Sequence, residues 1–245
     1  MLADELWIVR NNPLKLDKDV PLIDKTVPDV ASAVSGITSG QTILISGFGD
    51  AGTPVELVEA ILETSATELT VVANNAGVGE RGLAALLREG RVRKVVSSYP
   101  RSRGSIWFER RYLAGEIELE VVPQGTLSER IRAAGTGIGA FYTRTSVGTE
   151  LAKGKESRII DGHEYVLEMP LFGDVALVKA QSADRWGNLV YHASGRNYGP
   201  TMVAAAKLSI VQVASIVPLG SLDPEVIVTP GVLVDRVVMI RGDRE

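Results

Sequence analysis

The sequence predicts an α/β protein: an open, mostly parallel sheet flanked by helices, with an additional β-hairpin and further strands in the C-terminal half. Three observations carry this. Short apolar, β-branched runs of strand length recur as TILI, LTVVA, RKVVSSY and ELEVV. Helical segments stopped by glycine, GLAALLREG and SIWFERRYLAG, lie between them. After Gly135 the alternation gives way to strand-like runs, opened by a hairpin signal at Asp161-Gly162. Strand–helix alternation over the first half implies parallel neighbours joined by right-handed crossovers.

The elements follow in order. Residues 1–26 mix charges with Pro and Asn and read as an N-terminal arm, with two readings open: a loosely ordered segment, or one docked on a neighbour through its apolar spots Leu6, Trp7 and Ile8. They lack the apolar middle and cleavage site of a signal peptide. Residues 27–245 show no clear linker or internal repeat and read as one domain. Residues 42–46 form a buried strand. Thr53, Pro54 and Glu56 make a capping box for the next helix, with Val55, Val58, Ile61 and Leu62 as its apolar face. Strands at 69–73 and 93–99 and a fourth ending at Pro123 follow, each trailed by a helix. Thr126 and Glu129 form a second capping box. Residues 135–149, rich in glycine and hydroxyls, read as a long ordered loop with Phe141 and Tyr142 embedded. The hairpin RIIDGHEYVLE comes next, then the strands DVALVKA, GNLVYH, LSIVQV and VLVDRVVMI, with the short helix PTMVAAAK among them.

Composition narrows function. A chain of 245 residues, 45% hydrophobic, is long enough for a proper core. Its 26 basic and 30 acidic residues give a net charge of −4, which argues against nucleic acid as a partner. With no cysteine, disulfides and thiolate chemistry are excluded, and two distant histidines, His163 and His192, offer no metal site. No apolar run approaches the ~20 residues needed to span a bilayer, so no membrane association is expected and the cytoplasm is the default location.

The loop ISGFGDAGTP carries Gly47, Gly49 and Gly52 at G-x-G-x-x-G spacing, with Phe48 between the first two. A dinucleotide site wants an acid at the end of the second strand, but that strand ends in Asn74-Asn75, and Glu68 lies at its beginning. No Gly-Lys-Ser/Thr follows, so a phosphate loop is no better supported. Two readings stay open: a tight strand-to-helix turn, or a backbone platform facing a ligand or partner chain. The strand ends give Asn74, Asn75, Ser98, Arg101 and Gln124, which parallel topology collects on one edge. Neutral amides and hydroxyls there suit a carboxylate or carbonyl oxygen. No serine triad is apparent. Glu80 is the one carboxylate on this edge, either a nucleophile or base or, more simply, a solvated acid opening a helix.

The ordered motifs GFGDAGTP, NNAGVGERGLAALLREGRVRKVVSSYPR, ELEVVPQGTLSERIRAAGTGIGAFYT, GDVALVKAQSADRWGNLVY and GRNYGP resemble the α subunit of family I CoA-transferases over nearly everything after the arm. SSYPR and DRWGNL point to the branch acting on 3-oxoadipate in the β-ketoadipate pathway. The resemblance implies an α chain paired with a β chain, often as α2β2. The nucleophile is then a glutamate of the β chain, which attacks succinyl-CoA, and a glutamyl-CoA thioester hands CoA to a 3-oxo dicarboxylic acid. The resemblance implies no catalytic residue in this chain and no metal or redox cofactor, CoA being a co-substrate. Gln124 matches the family's substrate-contacting glutamine in PQGT, and Asn74 the first asparagine of NNAG. Arg101, a cation at a strand end, is read as the partner of the acceptor's distal carboxylate. The long charged arm, and GRNYGP where the family usually has ARNFxP, depart from the pattern. Alternatives are the α subunit of another short-chain 3-oxoacid or acetate CoA-transferase, a thioester or ring-opening hydrolase using Glu80, or a small-molecule sensor.

Overall fold

The computed structural model describes residues 23–240. The docking expected of Leu6, Trp7 and Ile8 lies outside the described residues. The expected fold class is borne out. A nine-stranded sheet is built from β1 (Thr26–Val27), β2 (Thr42–Ile45), β3 (Leu69–Asn75), β4 (Val92–Tyr99), β5 (Glu118–Val121), β9 (Gly173–Asp184), β10 (Leu189–Val190), β11 (Ala206–Val217) and β12 (Arg236–Met239). Its order is β1-β12-β11-β9-β2-β3-β4-β5, with every neighbour parallel and β10 antiparallel on β9. The smaller sheet of β6 (Phe141–Thr143), β7 (Ser157–Ile160) and β8 (His163–Glu168) is antiparallel, in the order β6-β8-β7.

Period-2 alternation splits the large sheet's side chains between two cores. Ile43, Ile45, Val71, Val175 and Leu177 join one core with α1 (Val30–Val34), α2 (Val55–Ala60), α3 (Leu83–Arg88) and α4 (Ile106–Leu113). Leu44, Val72, Val96, Ala176 and Val178 join the other with α5 (Gln124–Thr136) and α6 (Gly199–Ala205). Burial on both faces is why these strands read as continuous apolar runs.

Several local expectations are corrected. The Thr53 capping box does not form: its hydroxyl donates to the Gly49 carbonyl at 3.0 Å, and α2 starts after Pro54 with no side-chain cap. Leu57 and Val58 are buried in that helix, while Val55 is only half-buried. The second box also fails, because α5 begins at Gln124, directly after Pro123, and Thr126 lies buried inside it. That helix runs past Gly135 and ends on Gly137, whose φ of 74° is the left-handed stop. The long loop holds a short strand, β6. The GNLVYH strand shrinks to the two residues of β10, and β1 and α1 were not anticipated. The hairpin is borne out: Ile160 pairs with His163, and Asp161 and Gly162 both take positive φ, as a two-residue turn requires.

A charged network ties the small sheet to the large one. Glu168, 2% exposed, accepts from Lys155 at 2.5 Å and lies 3.9 Å from Arg130. Arg130 on α5 also donates to Glu120 of β5 at 2.8 Å, and Lys94 of β4 completes the pair at 2.8 Å. Burial pushes the Glu120 carboxyl up, but its hydrogen bonds from Arg130 and Lys94 outweigh that and hold it below the usual glutamate range.

Candidate active site

The chain lays down β2, β3, β4 and β5 outward to one edge, then returns to place β9 on the other side of β2. The connections leaving β2 and β9 therefore diverge, which opens a crevice at the carboxyl ends of the strands. The glycine loop fills it. Gly47 has φ +128°, where a Cβ would lie 2.2 Å from the Thr53 hydroxyl; at Gly52, φ +73°, a Cβ would lie 2.2 Å from the Gly195 carbonyl. Both glycines are thus required by the turn and by the backbone of residues 193–197 pressed against it.

Asn197, from the GRNYGP motif, clasps this loop. Its Oδ1 accepts from the Gly47 amide at 3.0 Å, and its Nδ2 donates to the Ala51 carbonyl at 2.9 Å. The Phe48 amide donates to Ala51 at 3.0 Å. Two amides of the presumed backbone platform are therefore engaged within the protein, while that of Gly49 makes no hydrogen bond among the described residues. The turn reading accounts for most of the loop.

Beside the loop, the ends of β3 and β4 and the start of α5 bring Asn74, Ser98 and Gln124 together. Asn74 is 6% exposed. Its Oδ1 accepts from Ser98 Oγ at 2.8 Å, Gln124 Nε2 at 3.0 Å and the Tyr198 hydroxyl at 3.4 Å. Ser97 Oγ donates to the Asn74 backbone carbonyl at 2.8 Å, fixing the strand end itself. Burial pushes the Tyr198 phenol up, against smaller opposing effects from Gln124 and Ser98, so it remains a proton donor.

Two cavities share Gly49, Asn74, Asn75 and Val78 as walls. The one of about 170 Å³ lies along the glycine loop; the one of about 460 Å³ opens toward Ser98, Tyr99 and Gln124. Phe48 (53% exposed), Val78 and Tyr99 (64% exposed) line the larger one, an apolar rim of the kind that meets another surface. Among the described residues no carboxylate or imidazole lines the larger cavity. Its polar lining consists of neutral amides and hydroxyls, suited to an oxygen that accepts hydrogen bonds.

The other predicted residues fall as follows. Asn75 lines both cavities, and its Oδ1 accepts from the Gly77 amide at 2.9 Å, turning the chain. Arg101 is not brought to the cluster: its side chain is 76% exposed and pairs with Glu109 at 2.7 Å. Glu80 accepts from Arg88 and from the Trp107 indole, each at 3.0 Å. His192 faces the glycine loop's other flank, in a cavity with Lys179. Among the described residues no group of three or more acidic or histidine side chains is placed to hold a metal ion, and no helix is long and apolar enough to cross a membrane. Asn197 and Tyr198 were missed as site residues. The motif containing them was visible, but nothing local to it shows what it touches.

A mostly parallel sheet covered by helices on both faces has counterparts among known proteins. Residues 27–239 match the Coenzyme A transferase family, and the chain belongs to it. It is 59% identical over 221 residues to the A subunit of 3-oxoadipate CoA-transferase from Pseudomonas putida, covering 90% of this chain and 96% of that one. It is 52% identical to the A subunit of 3-oxoadipate CoA-transferase from Acinetobacter baylyi, covering 90% and 97%. Among solved structures, an acyl-CoA transferase from E. coli O157:H7 in a thioester complex with CoA superposes with a TM-score of 0.77 at 20% identity. The match covers 90% of this chain and about half (48%) of that one. At such identity the likeness concerns the fold. The resemblance read from the motifs is borne out.

Proposed function

We propose that this chain is the α subunit of a two-chain CoA-transferase moving CoA from succinyl-CoA to 3-oxoadipate, yielding succinate and 3-oxoadipyl-CoA in the β-ketoadipate pathway of aromatic catabolism. One observation carries the reading: Asn74 and Gln124 present neutral amides in a cavity of about 460 Å³ rimmed by exposed Phe48 and Tyr99. Neutral donors can hold a carboxylate or thioester oxygen without the uniform grip of a cation, which would lower KM but not speed chemistry. The relatives' names supply the substrates and the subunit designation.

In this reading the nucleophilic glutamate belongs to the β subunit, which docks on the apolar rim in an α2β2 assembly in the cytoplasm. The enzyme attacks succinyl-CoA, passes through an anhydride and a glutamyl-CoA thioester, and reverses those steps with the acceptor acid. CoA is a co-substrate and no cofactor enters. Gln124, Asn74 and Asn75 line the acyl pocket. Arg101 serves the acceptor's distal carboxylate on exchanging Glu109 for it.

The test is reconstitution with the partner chain, following succinyl-CoA consumption with 3-oxoadipate. Transfer is expected only in the mixture and is expected to survive Glu80→Gln, because Glu80 is engaged by Arg88 and Trp107. Activity of the chain alone, lost in Glu80→Gln, would instead establish a hydrolase.

A further inference from the structure

The Asn74 carboxamide can face the cavity with either of its ends, and the two ends recognise opposite chemistry. Oδ1 accepts hydrogen bonds and Nδ2 donates them, and rotation about the terminal torsion exchanges them. Three protein groups converge on Oδ1: Ser98 Oγ at 2.8 Å, Gln124 Nε2 at 3.0 Å and the Tyr198 hydroxyl at 3.4 Å. The Nδ2 makes no hydrogen bond with any described residue, and Asn74 lines both cavities. Of the three, Gln124 is exposed on the cavity side, whereas Tyr198 is buried, 7% exposed, in the core shared with α5 and α6. The phenol is therefore fixed by packing, independently of any ligand. Tyr198 follows Asn197 directly, so a single dipeptide holds the glycine loop through one residue and the Asn74 amide through the next.

We propose that Ser98 and Tyr198 are positioning residues that lock the Asn74 carboxamide with its N–H donors toward the cavity. The locked amide selects a ligand atom that accepts hydrogen bonds, a carbonyl or carboxylate oxygen, and disfavours an ammonium or amide nitrogen. Ser98 then acts through Asn74 and not on substrate. The role in turnover rests on the functional reading above; the orientation of the amide does not.

The experiment is a pair of double-mutant cycles in the reconstituted complex. Ser98→Ala and Tyr198→Phe are each measured alone and on top of Asn74→Ala. Each single variant is expected to lower kcat/KM about fivefold to tenfold, the effect of one modest hydrogen bond. In the Asn74→Ala background the same changes should cost less than about twofold, because no amide is left to position. Ser98→Thr, which keeps a hydroxyl, should restore most of the loss. Equal losses in both backgrounds, or no loss in either single variant, would overturn the proposal. A readout free of turnover uses the ¹⁵N-labelled full chain. The Asn74 side-chain amide pair, identified by its disappearance in Asn74→Ala, should shift in both Ser98→Ala and Tyr198→Phe; unmoved signals would also overturn it. A wild-type complex that transfers no CoA would defeat the functional reading, while those amide signals still decide the orientation.

Discussion

Two polar clusters share α5, one at its start around Asn74 and one further along it around Glu168, and they differ in what they leave free. Around Glu168, every charge meets an opposite charge: Lys155, Glu168, Arg130, Glu120 and Lys94 follow one another in a continuous chain of ion pairs. Around Asn74, three donors saturate one end of a neutral amide and its other end has no partner among the described residues. The first is a strut, in which removing one member strands a buried charge. The second has hydrogen-bonding capacity left over beside a cavity, which is what binding requires. Buried polarity therefore does not mark a site; unfilled polarity does.

The largest expected effect tests the strut. Glu168→Ala removes a buried carboxylate and its charge-assisted hydrogen bond from Lys155, while Arg130 keeps Glu120, and should destabilise the chain by about 2–3 kcal/mol in urea unfolding. The reconstituted complex, below its unfolding range, should keep its KM for substrate. A large KM change with little loss of stability would erase the distinction. Next, Gln124→Ala should show the opposite pattern: kcat/KM down about 10- to 100-fold, from loss of a donor to a charged or polarised oxygen, and stability within about 0.5 kcal/mol. Arg101→Ala should be smaller and selective. Turnover of 3-oxoadipate should fall about fivefold to tenfold more than that of a shorter acid lacking the distal carboxylate. An equal loss for both acids would remove Arg101 from the site.

Acidification should give the smallest effect. Glu120, Glu59 and Asp174 are each held below their ordinary ranges, Glu120 by Arg130 and Lys94 against its burial, Glu59 by Arg81, and Asp174 by the Thr42 amide and Lys207. A depressed folded-state pKa means the unfolded chain binds more protons. The stabilisation is then complete above the ordinary carboxylate values and lost as pH falls through the depressed ones. The unfolding midpoint should stay level from pH 7 to about 5 and drop below about pH 4.5. Glu120→Gln should flatten part of that drop. An unchanged slope would mean the strut adds nothing that titrates.

Much of this arrangement was legible before the structure. Parallel strands end at one edge, so Asn74, Ser98 and Gln124 could be assigned to one place from strand order alone. The capping boxes misled because a Ser/Thr-x-x-Glu pattern is a local preference that tertiary contacts override. Thr53 faces Gly49, and α5 starts directly after Pro123, two residues ahead of Thr126. Arg101 was placed by its position after a strand, but its carboxylate partner lies eight residues on, in α4. Asn197 and Tyr198 were beyond reach because they act across 150 and 124 residues of chain, a proximity set by β9 lying beside β2.

That central placement also governs how the chain is made. Leu44 of β2 pairs with Ala176 of β9, so β2 has a permanent neighbour on one side only until some 130 further residues have been synthesised. At a ribosome's pace of about 5–20 residues per second, its other edge waits on the order of 10 s. For that interval the nascent chain carries an open, apolar strand edge, a template for pairing with the wrong partner. The glycine loop waits longer, because Asn197 emerges last of all its contacts. The pocket is thus among the final parts of the molecule to take shape, and a chain truncated before β9 would carry the loop's sequence without the means to set its form.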